Sequence, residues 1–111
     1  MKRVPPSPYD PIAIQAMEYI LDNGDATASE MEAYATWSPL NERMKKLCAD
    51  GLVEFYFPEK GRKTVHYVLT PKGRVFMKMV KLSHEIYYGR IDIENGEIEE
   101  KIEDLLRRSS E

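Results

Sequence analysis

The chain has 111 residues, 42% of them hydrophobic and 32% charged, which suits one small domain with a modest core and leaves little room for a second. A formal net charge of -3 argues against a generic polyanion binder, and one cysteine (Cys48) with two histidines (His66, His84) is too few for an internal disulfide or a Cys/His zinc site. No uncharged apolar run approaches the roughly 20 residues that span a bilayer, so the chain reads as cytoplasmic, with no membrane, metal or cofactor expected.

In chain order, residues 1–9 carry three prolines and no periodic pattern, which predicts an extended, flexible arm. Asp10-Pro11 then supplies an N-cap and a proline at the first helical position. Ile12, Ala16, Tyr19 and Ile20 follow at helical spacing until Asn23-Gly24 stops the helix. Thr27-Ala28-Ser29-Glu30 has the capping-box form and predicts a short second helix to about Ala35. Ser38-Pro39 repeats the cap-plus-proline device and opens a third helix ending near Asp50-Gly51, with Leu40, Met44 and Leu47 as its apolar stripe. The rest of that helix carries Ser38, Asn41, Glu42, Arg43, Lys45 and Lys46.

Leu52 to Phe57 and Thr64 to Leu69 are rich in strand formers around the turn PEKGRK, so they predict a β-hairpin with Val53, Phe55, Val65, Tyr67 and Leu69 inward. Thr70-Pro71 starts a fourth helix running to Tyr87, weakened in its first turn by Gly73, which costs up to about 1 kcal/mol relative to alanine. From Lys60 to Lys81 there are seven basic residues and no acid; from Asp92 to Asp104 there are seven acids against Lys101. Each run reads either as a solvated face or as a binding surface.

Val75, Met79, Leu82 and Ile86 form one stripe of the fourth helix, and Phe76, Val80 and Tyr87 form a second. One stripe serves the domain's own core. The surplus predicts a homodimer contact, unless the last segment folds back over it. In that segment an Asn95-Gly96 hairpin would oppose Glu94 to Glu97 and Asp92 to Glu99, so a helix capped by Asn95 is preferred. Glu97, Glu99 and Glu100 suit its positive end and Arg107 and Arg108 the other. Ile98, Ile102 and Leu105 make its narrow seam. The dimer interface is thus assigned to Met79, Leu82, Ile86, Ile98, Ile102 and Leu105.

The order helix, helix, turn, helix, hairpin, helix resembles the winged helix-turn-helix DNA-binding regulators of the MarR, PadR and ArsR kind. The likeness is carried by NGDATASEMEAYA, LNERMKKLCADGLVE and HYVLTPKGR. It implies an α+β fold, a winged helix-turn-helix with a three-helix core and a two-stranded β wing, followed by C-terminal helices for dimerisation. The domains expected are an arm (1–9), a winged-helix domain (10–88) and an acidic C-terminal helix (89–111). The partner implied is double-stranded DNA, with recognition helix 38–50 in the major groove and wing 57–64 on the backbone or minor groove. Ser38, Asn41 and Arg43 suit base edges; Lys45 and Lys46 suit phosphates; Lys60, Arg62 and Lys63 at the wing tip form a second grip. Lys2 and Arg3 on the arm have a minor groove within reach.

Two features depart from the family pattern. Trp37 stands in the turn before the third helix, as a core plug or a stacking contact. Glu42 lies on that helix's outer face, where it accepts from cytosine N4 or pairs with Lys45 or Lys46. No phosphate-binding glycine motif, HExxH or nucleophile elbow occurs, so no catalytic residue and no enzyme are expected. The rival reading is a winged-helix protein-interaction module without DNA binding. Operator and effector are not legible.

Overall fold

The computed structural model describes residues 7–32, 37–58 and 64–109, with the backbone alone for Trp37 and Ser38. The elements are α1 (Pro11–Asn23), β1 (Ala26–Thr27), α2 (Ala28–Met31), α3 (Trp37–Ala49), β2 (Val53–Tyr56), β3 (His66–Leu69), α4 (Pro71–Tyr87) and α5 (Glu97–Ser109). The chain divides into two compact units, Met1–Lys78 and Met79–Glu111, with the division inside α4 rather than after it.

Each helix of the first unit starts or stops where local chemistry dictates. The Asp10 carboxylate accepts from the backbone N–H groups of Ile12 and Ala13 and so caps α1, and Gly24, at φ 86°, ends it in a conformation that side chains disfavour. The capping box of α2 is complete: the Thr27 hydroxyl accepts from Glu30 N, and the Glu30 carboxylate accepts from Thr27 N at 2.9 Å. That helix is described to Met31; its expected continuation to Ala35 falls on residues 33–36, outside the described residues. Helix α3 begins at Trp37, one residue before the expected cap, a difference within the usual fraying of helix ends.

The sheet has three strands in the order β1-β3-β2, all antiparallel, not the two of a simple hairpin. The added strand, β1, is only Ala26–Thr27 and pairs with Tyr67 and His66. Two residues are too few for an alternating pattern, so this strand left no periodic signal. In the hairpin, Val53 faces Leu69 and Phe55 faces Tyr67. Val53, Tyr67 and Leu69 are buried as expected, but Phe55 is 58% exposed.

The core gathers Ala13, Ala16, Met17 and Ile20 of α1, Met31, the α3 stripe Leu40, Met44 and Leu47, and Met77. Each large side chain removed from water contributes on the order of 1.5–3 kcal/mol. Gly73, the apparent flaw in α4, is required. It is buried, and a Cβ there would run into the backbone carbonyl of Leu52. Thr70 organises the same junction. Its Oγ1 donates to Gly51 O at 2.6 Å and accepts from Gly73 N at 3.0 Å, while its N–H donates to Leu52 O at 3.1 Å. The sequence LTPKG is therefore a tight splice of β3, the α3–β2 turn and α4.

In the second unit, Asn95 Oδ1 accepts from Glu97 N at 3.0 Å and Glu100 N donates to Gly96 O at 3.1 Å. Gly96 has φ 75°. Asn95-Gly96 thus opens α5, with three acids in its first turn and Arg107 and Arg108 in its last. Ile86 of α4 and Ile93, Ile98 and Ile102 line a groove of about 370 Å³. Met79 and Leu105 remain 43% and 59% exposed, while Leu82, Ile86, Ile98 and Ile102 are half-buried.

Candidate nucleic-acid interface

Burying Leu40, Met44 and Leu47 fixes the roll of α3 and sorts its polar residues onto two flanks and an outer face. Asn41, Lys45 and Cys48, at i, i+4 and i+7, share the flank towards the hairpin. With Met44 they form one wall of a cleft of about 310 Å³, whose other wall is Phe55 of β2, Tyr67 of β3 and Val65 just before that strand. No carboxylate is among these lining residues. Lys45 is exposed and Asn41 half-exposed, so an ammonium and an amide stand at the mouth of a largely apolar cleft between helix and wing. Phe55 and Phe57, 58% and 53% exposed, meet edge to face with ring centroids 6.5 Å apart.

Arg43 lies on the other flank. Its Nε donates to Asp10 Oδ2 at 3.2 Å and its NH2 to Asp10 Oδ1 at 3.4 Å, while NH1 contacts Glu42 at 3.5 Å. The expectation that Arg43 points at a base edge does not match this placement, because its guanidinium is turned to the cap of α1. The Arg43 bond is the largest influence holding the Asp10 carboxyl below the usual carboxylate range. The backbone donors Ala13 and Ile12 act the same way, and slight burial opposes them. Lys46, assigned with Lys45 to phosphates, donates instead to Asp50 Oδ1 at 2.8 Å.

Of the expected DNA-binding set, Asn41 and Lys45 are brought together, and Arg43 and Lys46 are turned away from them. The Ser38 side chain, Lys60, Arg62, Lys63, Lys2 and Arg3 lie outside the described residues, as does the Trp37 side chain. Glu42 is exposed, and its carboxylate lies 3.5 Å from Arg43 NH1. Phe55 takes the face that alternation predicts, opposite buried Tyr67, but is 58% exposed there and not part of the core. Cys48 is half-buried, and burial first, then the Glu54 charge, pushes its thiol up.

A second cluster lies on the opposite face of the hairpin. Asp25 Oδ2 accepts from the Tyr56 hydroxyl at 2.8 Å and lies 3.0 Å from His66 Nδ1. Those two bonds, Tyr56 first, hold the Asp25 carboxyl low, and the same contact raises the Tyr56 hydroxyl. Among the described residues no group of three or more His, Cys, Asp or Glu side chains is placed to hold a metal, and no helix is long and apolar enough to cross a membrane.

A three-helix motif with a hairpin wing beside its last helix defines the winged-helix class, and the chain has the fold of the MarR-family winged-helix regulators. It is similar to NadR, solved in complex with 4-hydroxyphenylacetate, at 18% identity over 91% of this chain and 74% of that one, with a TM-score of 0.66. It is similar to Streptococcus pneumoniae FabT in complex with DNA, at 21% identity over 89% and 73%, with a TM-score of 0.65. A third similar structure is Bordetella bronchiseptica BpsR, whose DNA binding is regulated by 6-hydroxynicotinic acid; here the identity is 20%, the coverage 97% and 84%, and the TM-score 0.63. At such identities the likeness is one of fold. No family model matches the chain, and no curated protein matches it in sequence.

Proposed function

We propose that the protein is a double-stranded DNA-binding transcriptional regulator acting as a homodimer. The observation that carries the reading is the cleft between α3 and the wing, with Lys45 and Asn41 on the helix side and no carboxylate among its lining residues. A sugar–phosphate ridge has the matching chemistry: an anionic oxygen for Lys45, and an apolar deoxyribose face for Phe55 and Val65. With the ridge there, the outer face of α3 enters the major groove. Asn41 and Ser38 then meet base edges and the wing residues Lys60, Arg62 and Lys63 take the neighbouring backbone. Arg43 and Lys46 are positioning residues in this reading, stabilising α3 against Asp10 and Asp50.

The dimer contact is assigned to the second unit, where Met79 and Leu105 leave apolar surface in water beside Leu82, Ile86, Ile98 and Ile102. A two-fold contact lets both copies cover the same patch. The acidic helix α5 adds charge repulsion against phosphate wherever it approaches DNA, which favours keeping it on the dimer side.

The test is a titration of duplex DNA, first random and then sequence-selected, across salt concentration. Each phosphate neutralised contributes a log-log slope of about -0.9. A steep negative slope with Lys45-dependent affinity is expected. Binding that is absent at low salt would return the protein to the interaction-module reading, which the exposed Phe55–Phe57 pair favours because such a pair also suits an apolar protein surface.

A further inference from the structure

The cluster at Asp25 has a geometry that capping and core packing leave unexplained. Asp25 sits between Gly24, which ends α1, and β1. Tyr56 is the last residue of β2 and His66 the first of β3, and the two are partners in the ladder. Their rings lie 5.4 Å apart, and a single carboxylate oxygen, Asp25 Oδ2, meets both side chains, at 2.8 Å and 3.0 Å. An ionised carboxylate only accepts, so Nδ1 of His66 carries the proton in this contact. One oxygen thus ties both strands together where the hairpin leaves the sheet, and ties them to the segment that leads into α2.

The ladder beside it is thin. Strand β1 holds β3 through only two register pairs, Ala26↔Tyr67 and Thr27↔His66. Beyond Tyr56 and His66 no further ladder pair is present among the described residues, and a two-stranded hairpin is marginal by itself. Tyr56 and His66 occupy one face of the hairpin; Phe55 and Tyr67, which wall the cleft against Asn41 and Lys45, occupy the other. Restraining the first face therefore sets the pitch of the second.

We propose that Asp25 is a positioning residue for the wing: through Tyr56 and His66 it holds the Phe55 wall of the cleft at the spacing from α3 that a DNA backbone needs. This rests on the DNA-binding reading. Without the clamp the hairpin must be ordered when DNA binds, and affinity falls although no DNA contact has been removed.

Two measurements on the full chain test it. In native-state hydrogen exchange, Asp25→Ala should speed exchange of the amides of residues 53–56 and 66–69 by about tenfold, the scale of two lost bonds to a solvent-exposed carboxylate, and leave α1 and α3 unchanged. Tyr56→Phe, which keeps the ring, should give a smaller rise in the same residues. In duplex binding, Asp25→Ala should weaken affinity about tenfold, Asp25→Asn should restore part of the loss, and the effect should shrink in a Phe55→Ala background while adding fully to Lys45→Ala. Unchanged hairpin exchange, or equal losses in the wild-type and Phe55→Ala backgrounds, overturns the clamp. Failure of the wild-type chain to bind duplex DNA at any salt overturns the functional reading instead, and leaves the exchange measurement to decide whether Asp25 holds the hairpin.

Discussion

Gly73→Ala separates two physical effects of opposite sign. Helix propensity favours alanine over glycine in α4 by about 1 kcal/mol, so local reasoning expects stabilisation. The junction says otherwise. A Cβ at residue 73 would overlap the Leu52 carbonyl oxygen and stand 3.0 Å from its carbon and 3.3 Å from a Leu69 methyl. The obstacle is backbone that cannot rotate aside, and the same oxygen accepts from Thr70 N at 3.1 Å. Relief requires lifting the start of α4 off the α3–β2 turn. Overpacking of this kind costs about 1–3 kcal/mol, and loss of the Thr70 bond adds about 1 kcal/mol. Less the propensity gain, the net loss is about 1–3 kcal/mol, centred near 2 kcal/mol, out of a total of roughly 5–15 kcal/mol. That lowers the melting temperature by about 10 °C. Urea unfolding followed by far-UV circular dichroism should show a lower midpoint with an unchanged slope, whereas Ser83→Ala, on the exposed face of α4, should be neutral or slightly stabilising. A Gly73→Ala midpoint at or above wild type would refute the steric argument and return Gly73 to a local weakness.

Three further outcomes follow from the contacts. Arg43→Ala should leave the ratio of specific to non-specific DNA affinity unchanged in competition titrations, whereas a base-reading arginine would forfeit about 1–3 kcal/mol of discrimination. Asp10, mainly through Arg43, and Glu30, mainly through the Thr27 backbone, have lowered folded-state pKa values. Their stabilisation is complete above the unfolded carboxylate range of about 4 and is lost as pH falls through the lower folded values, so Asp10→Asn with Glu30→Gln should flatten the acid limb of a stability–pH curve. Leu105→Glu with Met79→Glu should convert a dimer to a monomer in sedimentation equilibrium and weaken binding to a two-half-site duplex about a hundredfold, leaving the circular dichroism of the first unit unchanged.

Sorting the two flanks of α3 was within reach of the sequence. At about 100° per residue, Arg43 lies across the Leu40–Met44–Leu47 stripe from Asn41 and Lys45. What the sequence did not contain was a carboxylate waiting on that side: Asp10 is 33 residues away along the chain and was legible only as a cap. The clamp was hidden for the same reason. Asp25 lies between α1 and β1 while Tyr56 and His66 belong to β2 and β3, and a strand of two residues carries no periodicity to announce β1.

Local chemistry by itself determined where the helices begin and end. Caps, prolines, glycines and the apolar stripes act within a few residues, and Asp10, Thr27, Thr70 and Asn95 serve where those patterns place them. Tertiary structure decided which side chains are free to meet a partner. A long-range pairing depends on the approach of elements far apart in sequence, so only packing could turn Arg43 to Asp10, leave Phe55 half in water on the wall of a cleft beside α3, and make the glycine at residue 73 a requirement instead of a defect.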